Sequence, residues 1–114
     1  MRVYNLGRQC AVVDHLEIAE SVRARTRGLI GHQPLGLGQG LVINPCRWIH
    51  TFGMSFPIDV IYVSKNWRVV ALTEDLPPRR IDRPVLRAQL VIEMAAGALR
   101  HIGLHVGDHL ELRP

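Results

Sequence analysis

The sequence predicts a single α+β domain, mostly antiparallel β, whose strands curl into a small barrel, closed or incomplete, with one helix. Two observations favour this class. Short apolar segments rich in β-branched residues recur along the chain, and 58–63 and 67–73 form a hairpin pattern around a Ser-Lys-Asn turn. A barrel suits such a chain because closure removes exposed strand edges. At 114 residues the chain can build one core, so a single domain over 1–114 is expected.

The N-terminal half predicts one helix among strands and loops. Residues 10–19 alternate roughly between apolar and polar side chains, which predicts one strand with a bend. Ser21 can cap a helix over 21–30, where apolar residues fall at helical spacing. Three glycines and a proline make 32–40 a loop, and residues 41–43 form a short buried strand after it.

The C-terminal half predicts further strands. In the hairpin turn, Asn66 supplies the left-handed conformation that such turns need. Residues 74–84 are polar and contain three prolines, so we expect a loop or an edge crossing there. A buried strand at 90–94 and one helical turn within 95–102 come next, and a strand at 106–112, with a Gly107-Asp108 turn leading into it, closes the chain.

The composition predicts a protein of the cytoplasm without a membrane span. No run approaches the ~18 apolar residues that such a span needs, and the charged N-terminus lacks the apolar core of a signal peptide. A cytoplasmic setting favours free thiols at Cys10 and Cys46. Neither belongs to a CxxC motif, so the sequence predicts no thiolate zinc site. No cofactor is expected. We expect the thiol of Cys46 to pack against Trp48 or Phe52 rather than to act as a nucleophile.

The net charge of +4 favours anionic partners, and thirteen of the fourteen basic residues are arginine. Nucleic acid is therefore a partner class to consider. The basic residues are spread along the chain, however, and only 5% of the residues are aromatic. On these grounds we do not expect a nucleic-acid partner.

A set of short motifs follows one another in a fixed order along the chain. They are Arg27-Gly28-Leu29, Gly40-Leu41, Ile49-His50-Thr51-Phe52-Gly53-Met54, Pro57-Ile58-Asp59, Val69-Val70, Glu93, Gly97, Gly103 and Gly107-Asp108. This ordered set resembles the DUF192 family, domains of unknown function that are widespread in bacteria and archaea. The resemblance covers about residues 18–112 and implies a small, β-rich single domain, without an established reaction, cofactor or substrate. From His50 to Phe56 the chain departs from the aromatic-Trp-Met-Lys-Asn-Thr segment of many relatives.

Two acidic residues occur in apolar strands, where a bare carboxylate is costly. Asp59 begins one such strand, so its carboxylate needs either solvent or hydrogen-bond donors, and we expect His50 or the loop amides before it to donate. Glu93 ends another apolar strand. The two carboxylates could support acid–base chemistry at a defined separation. An ion pair between Glu93 and Arg27 is the simpler interpretation.

Three histidines, His101, His105 and His109, recur at the spacing that aligns metal ligands on a helix. Gly103 and Gly107 interrupt any such helix. The sequence therefore predicts no metal site here.

These observations favour a domain that binds a small anionic or polar ligand, or that has an accessory role. Two alternatives stay open: a hydrolase that uses Asp59 and Glu93, or His50, for proton transfer, and a protein-interaction module. The interaction module would use an exposed apolar surface formed by Trp48, Phe52, Met54 and Phe56. The candidate ligand pocket is lined by Arg27, His50, Thr51, Met54, Asp59 and Glu93.

Overall fold

The computed structural model describes residues 1–19 and 34–114, and strands dominate both ranges. The helix predicted over 21–30, with its cap at Ser21 and the candidate residue Arg27, lies outside the described residues. Within the described ranges, no helix is long and apolar enough to cross a membrane. The elements are β1 (Arg2–Asn5), β2 (Cys10–Val13), β3 (His15–Ile18), β4 (Gln39–Ile43), β5 (Ile58–Val63), β6 (Val69–Leu76), β7 (Leu90–Ala95), α1 (Ala98–Ile102) and β8 (Leu110–Arg113).

The described strands form two sheets, so the predicted barrel is not supported. The smaller sheet has the antiparallel order β2-β1-β8, and the larger has the order β3-β4-β7-β5-β6 with β3 parallel to β4. The strand predicted over 10–19 divides at Asp14, where the amides of Asp14 and His15 both donate to the carbonyl of Gly38. Because this turn sends β2 and β3 into different sheets, the strands do not follow one another around a closed cylinder.

The larger sheet is the middle layer of the molecule, with an apolar cluster on each face. Because the sheet is covered on both faces, every side chain of β5 is buried. A strand in this position has a nearly continuous apolar sequence. On one face the sheet packs against the smaller sheet and α1, and on the other against the segment that precedes β5. The first cluster includes Val3, Val13, Val42, Ile61, Ile92, Leu99 and Leu110, and the second includes Leu41, Ile49, Met54, Ile58, Val60, Tyr62 and Val91.

The predicted hairpin is confirmed, with two corrections. β5 has the predicted bounds, but β6 runs from Val69 to Leu76, so residues 74–76 belong to a strand rather than to a loop. The left-handed residue of the turn is Trp67, with φ of 62°, and not Asn66. The Trp67 amide donates to the carbonyl of Ser64 over 2.9 Å, and its ring packs against the first cluster. Burial of the indole offsets the unfavourable backbone conformation.

The other predicted C-terminal elements, two strands and one helical turn, are present, but their bounds differ from the predicted ones. β7 extends the predicted strand by one residue, to Ala95, and α1 lies within the region predicted as a helical turn. The closing strand β8 begins at Leu110, because residues 106–108 form the turn before it. β1 was not predicted, since its four residues are too few to show a clear period.

The two sheets are in close contact at Gly40 on β4. A Cβ atom at this position would lie 3.1 Å from both Cγ atoms of Val13 and 3.4 Å from Cγ2 of Ile92. The absence of a side chain at Gly40 is therefore what lets β2 pack against the larger sheet.

We expect Gly40→Ala to lower the free energy of unfolding by about 1–3 kcal/mol, because the added methyl group overpacks this contact. Urea denaturation measures the change. Gly36→Ala is the matched control, since its Cβ would lie 3.5 Å from the flexible end of Gln39, and we expect a change within about 0.5 kcal/mol. Equal stability of the two variants would contradict this packing.

Candidate functional site

Asp59 is completely buried, and its carboxylate accepts three backbone hydrogen bonds. Oδ1 accepts the amide of Asp75 over 2.8 Å, while Oδ2 accepts the amides of Gly97 and Leu99 over 3.1 and 2.9 Å. These amides belong to β6 and to the start of α1. The carboxylate therefore joins three elements and has little accepting capacity left for a ligand.

The local sequence explains why α1 depends on Asp59. Gly97 precedes the helix with φ of 92°, and no side chain of the helix's own segment caps it. The free amides of the first turn need an acceptor, and Asp59 supplies it from β5. The expected hydrogen bond between Asp59 and His50, or the loop amides before it, is wrong, because both carboxylate oxygens bind other amides.

Glu93 lies on the opposite face of the same sheet. In the register of β5 and β7, Asp59 lies across from Met94, while Val60 lies across from Glu93. Paired residues point to the same face and successive residues to opposite faces, so the two carboxylates are separated by the sheet. The structure therefore does not bring Asp59 and Glu93 together in one cleft.

Glu93 is an acid inside an apolar layer, only 3% exposed. Among the described residues, none makes a hydrogen bond to its Oε1 atom. Burial raises the pKa of its carboxyl from 4.5 to about 7, because an apolar environment disfavours the charged form. Both protonation states are therefore populated near neutral pH. An ion pair between Glu93 and Arg27 stays a prediction, since Arg27 lies outside the described residues.

Cys46 and Tyr62 lie close enough to Glu93 for its charge to affect them. Burial raises the pKa of the Cys46 thiol, and the Glu93 carboxylate adds to that rise. The thiol donates to the carbonyl of Trp48 over 3.1 Å. A raised pKa keeps the thiol protonated, which fits the predicted packing role better than nucleophilic catalysis.

Tyr62 and Asp82 form a partly buried polar contact that was not predicted from the sequence. The Tyr62 hydroxyl and the Thr73 hydroxyl each donate to Oδ2 of Asp82 over 2.7 Å. Burial raises the pKa of Tyr62 most, and the hydrogen bond to Asp82 raises it further. A tyrosine in the middle of an apolar strand was the available signal, because its hydroxyl needs a partner when buried.

Thr51 joins the segment before β5 to the segment after β6. Its buried hydroxyl donates to the carbonyl of Pro77 over 2.6 Å and accepts the amide of Arg80 over 2.9 Å. Its own amide donates to the carbonyl of Arg80 over 2.8 Å. These contacts give Thr51 a structural role.

His50 is the central ring of an aromatic row. Its ring centroid lies 6.1 Å from that of Trp48 and 5.8 Å from that of Phe52. Nδ1 of His50 accepts the amide of Phe52 over 3.2 Å, which leaves Nε2 as the protonated nitrogen of a neutral ring. Trp48 and Phe52 are each 49% exposed.

The predicted apolar surface is only partly present. Trp48 and Phe52 are exposed, but Met54 is 7% exposed within the second cluster, and Phe56 is half-buried against it. Strand-like alternation at 48–52 sends alternate side chains outward, whereas Met54 follows a turn at Gly53 that directs it into the core.

The C-terminal histidines do not form one cluster. α1 ends at Ile102, one residue after His101. Nδ1 of His105 lies 3.3 Å from the guanidinium of Arg8, and His109 forms an isolated backbone β-bridge with Arg68. In residues 1–19 and 34–114, no three His, Cys, Asp or Glu side chains are grouped as a metal ion would require.

We expect Asp59→Asn to lower the free energy of unfolding by about 2–4 kcal/mol, because an amide nitrogen replaces one accepting oxygen beside buried N–H donors. Urea denaturation gives the loss, and faster hydrogen exchange at Leu99 locates it. Glu74→Gln, a matched change at an exposed carboxylate on β6, should alter stability by less than about 0.5 kcal/mol. A loss no larger than that of the control would contradict the capping role.

Comparison with known proteins finds one matching family, one curated relative and two solved structures with a similar fold. A UPF0127 protein of Pyrococcus horikoshii is 41% identical over 63 residues, which are 55% of this chain and 54% of that protein, so the match spans about half the length of the curated relative. A crystal structure of a Novosphingobium aromaticivorans protein of unknown function has a TM-score of 0.83 at 21% identity, over 98% of this chain and 84% of that chain.

A putative transcription regulator from Sinorhizobium meliloti has a TM-score of 0.76 at 20% identity, over 96% of this chain and 89% of that chain. At these identities the two structures establish the fold alone. The model of the DUF192 family, described as an uncharacterised ACR, matches residues 5–112. That range runs from the end of the first strand into the last, and the predicted resemblance is confirmed: the chain belongs to the DUF192 family.

Proposed function

We propose that this protein binds a small, largely apolar ligand that carries one hydrogen-bond donor, such as an amine or a hydroxyl group. Glu93 is the residue that accepts this donor. The observation that supports the proposal is the buried Oε1 atom of Glu93, which has no partner among the described residues. An unsatisfied buried acceptor costs about 1–3 kcal/mol, and a ligand donor would recover that free energy.

The surroundings of Glu93 favour this ligand class. Its face of the sheet is lined by aliphatic side chains, including those of Leu41 and Val60 on the neighbouring strands. Such an apolar lining with one polar anchor is typical of small-molecule sites. A cationic amine would hold the carboxylate in its charged form, and an alcohol could bind either form.

An anionic ligand, the other class that the sequence favours, has less support. Its charge would lie beside a carboxylate in an apolar layer, where repulsion is only weakly screened. The anionic alternative would depend on Arg27, which lies outside the described residues.

A hydrolase that uses Asp59 and Glu93 together also has less support. The two side chains lie on opposite faces of the sheet, and both oxygens of Asp59 accept backbone amides. His50 lies in the outer aromatic row and accepts a backbone amide there. Acid–base chemistry would then depend on Glu93 alone.

A cytoplasmic location is part of the proposal. Cys10 and Cys46 are both free thiols, which supports a reducing compartment.

We expect small amines or alcohols to raise the thermal unfolding midpoint of the native chain but not that of Glu93→Gln. At a concentration ~100 times its Kd, a ligand adds about 2.7 kcal/mol to the free energy of unfolding. The screen uses primary amines, alcohols and carboxylic acids as three probe classes, read out by differential scanning fluorimetry.

Asp59→Asn is the matched control, because it should start from a lower midpoint and still respond to the same probes. The proposal would be wrong if no amine or alcohol stabilises the native chain. A response that persists in Glu93→Gln would also contradict it.

A further inference from the structure

Two extended segments pair on the surface and form a ribbon, which we define as residues 45–54 with residues 77–88. The amide of Asp82 donates to the carbonyl of Ile49 over 3.0 Å, and the amide of Thr51 donates to the carbonyl of Arg80 over 2.8 Å. Between these bonds His50 lies directly opposite Ile81. The pairing is antiparallel, so each segment alternates between an inner and an outer face.

The inner face of the ribbon packs on the second apolar cluster. Ile49 and Thr51 are buried, and Asp82 accepts the Tyr62 hydroxyl. Alternation therefore directs Trp48, His50 and Phe52 to the outer face, and their ring contacts confirm this. The outer face carries a row of three rings, with Ile81, 64% exposed, opposite the central ring.

The ribbon also carries a concentrated positive charge. It contains five arginines and one aspartate, for a net charge of +4, which equals the net charge of the whole chain. The aspartate is Asp82, which faces inward. All five are exposed residues, and within the described part of the chain none of them makes an ion pair. The Arg47 guanidinium donates to the carbonyl of Ala88 over 3.3 Å. The five are Arg47, Arg79, Arg80, Arg83 and Arg87.

We propose that the ribbon binds single-stranded nucleic acid, with bases stacking on the aromatic row and phosphates binding the arginines. Solvent-facing rings beside arginines that make no ion pair are the combination that single strands require. The charge is complementary to a phosphate backbone. An acidic peptide would satisfy the charge but would leave the row of rings without planar partners, so we favour the nucleic acid.

This inference revises an expectation from the sequence. Nucleic acid was not expected because the basic residues are spread along the chain and aromatic residues are few. The fold pairs two segments that are distant in sequence, and it places Trp48, His50 and Phe52 beside the arginines of 79–87. The proposal does not depend on Glu93, which faces the interior.

Fluorescence anisotropy with labelled oligothymidylate and oligouridylate tests the proposal on the full chain. We expect binding at low salt, with affinity that falls steeply as salt rises. Trp48→Ala and Phe52→Ala should each weaken binding about tenfold. The double variant Arg79→Ala/Arg83→Ala should reduce the slope of log K against log salt by about 1.4, since each phosphate contact on a single strand contributes about 0.7.

Three controls make the test specific. Arg100→Ala removes an arginine that is 75% exposed outside the ribbon and should leave both affinity and slope unchanged. Trp48→Phe keeps a stacking ring but leaves Trp67 as the fluorescent residue, so binding should persist while quenching of tryptophan fluorescence disappears. Unchanged thermal unfolding midpoints would show that the exposed substitutions leave the fold intact.

The contradicting results are equally specific. The proposal is overturned if neither oligonucleotide binds at low salt, or if duplex DNA binds as tightly as the single strands. Equal binding of a poly-glutamate peptide would assign the surface to an acidic protein partner instead. An equal loss in Arg100→Ala, or quenching that persists in Trp48→Phe, would place the contact elsewhere. A preference between the two oligonucleotides distinguishes DNA from RNA as the partner.

Discussion

The carboxylate of Asp59 is the interaction on which the rest of the structure depends. One buried side chain accepts amides from β6 and from the first turn of α1, and it does so from the second residue of β5. A helix of five residues is unstable in isolation, and the amides of its first turn have no acceptor within the helix. Asp59 supplies the missing acceptor and fixes α1 against the first cluster, where Leu99 packs.

The larger sheet, which Asp59 helps to anchor, also separates the two buried carboxylates of the molecule. Side-chain alternation places Asp59 on one face with its oxygens satisfied, and Glu93 on the other face with one oxygen unsatisfied. Thr51 joins the two segments of the ribbon, and the buried side chains of the ribbon pack on the second cluster, on the Glu93 face, so that the aromatic row faces solvent. The same sheet therefore carries a structural carboxylate and a candidate ligand anchor, and it supports the ribbon that we propose as a binding surface.

Local patterns predicted the elements well, but not their assembly. β5 and β7 were predictable because continuous apolar runs mark strands covered on both faces. The barrel was not supported because the turn at Asp14, which divides one predicted strand between two sheets, depends on a distant carbonyl at Gly38. Burial of Asp59 and Glu93 follows from their apolar neighbours, whereas their opposite faces depend on strand register, which a single sequence does not reveal. The ribbon likewise depends on pairing between distant segments.

The pH dependence of stability tests most directly whether Glu93 is buried without a charged partner. The pKa of its carboxyl in the folded chain is raised from 4.5 to about 7, so the folded state binds this proton more tightly than the unfolded state. The stability that this tighter proton binding contributes is fully present below about pH 4.5 and is lost as pH rises through about 7. We predict that the free energy of unfolding of the native chain, measured relative to Glu93→Gln by urea denaturation, falls by about 3 kcal/mol between acidic pH and about pH 8. A difference that stays constant over this range would contradict the account, as would one that rises with pH, which is the result that an ion pair would give by lowering the pKa of Glu93.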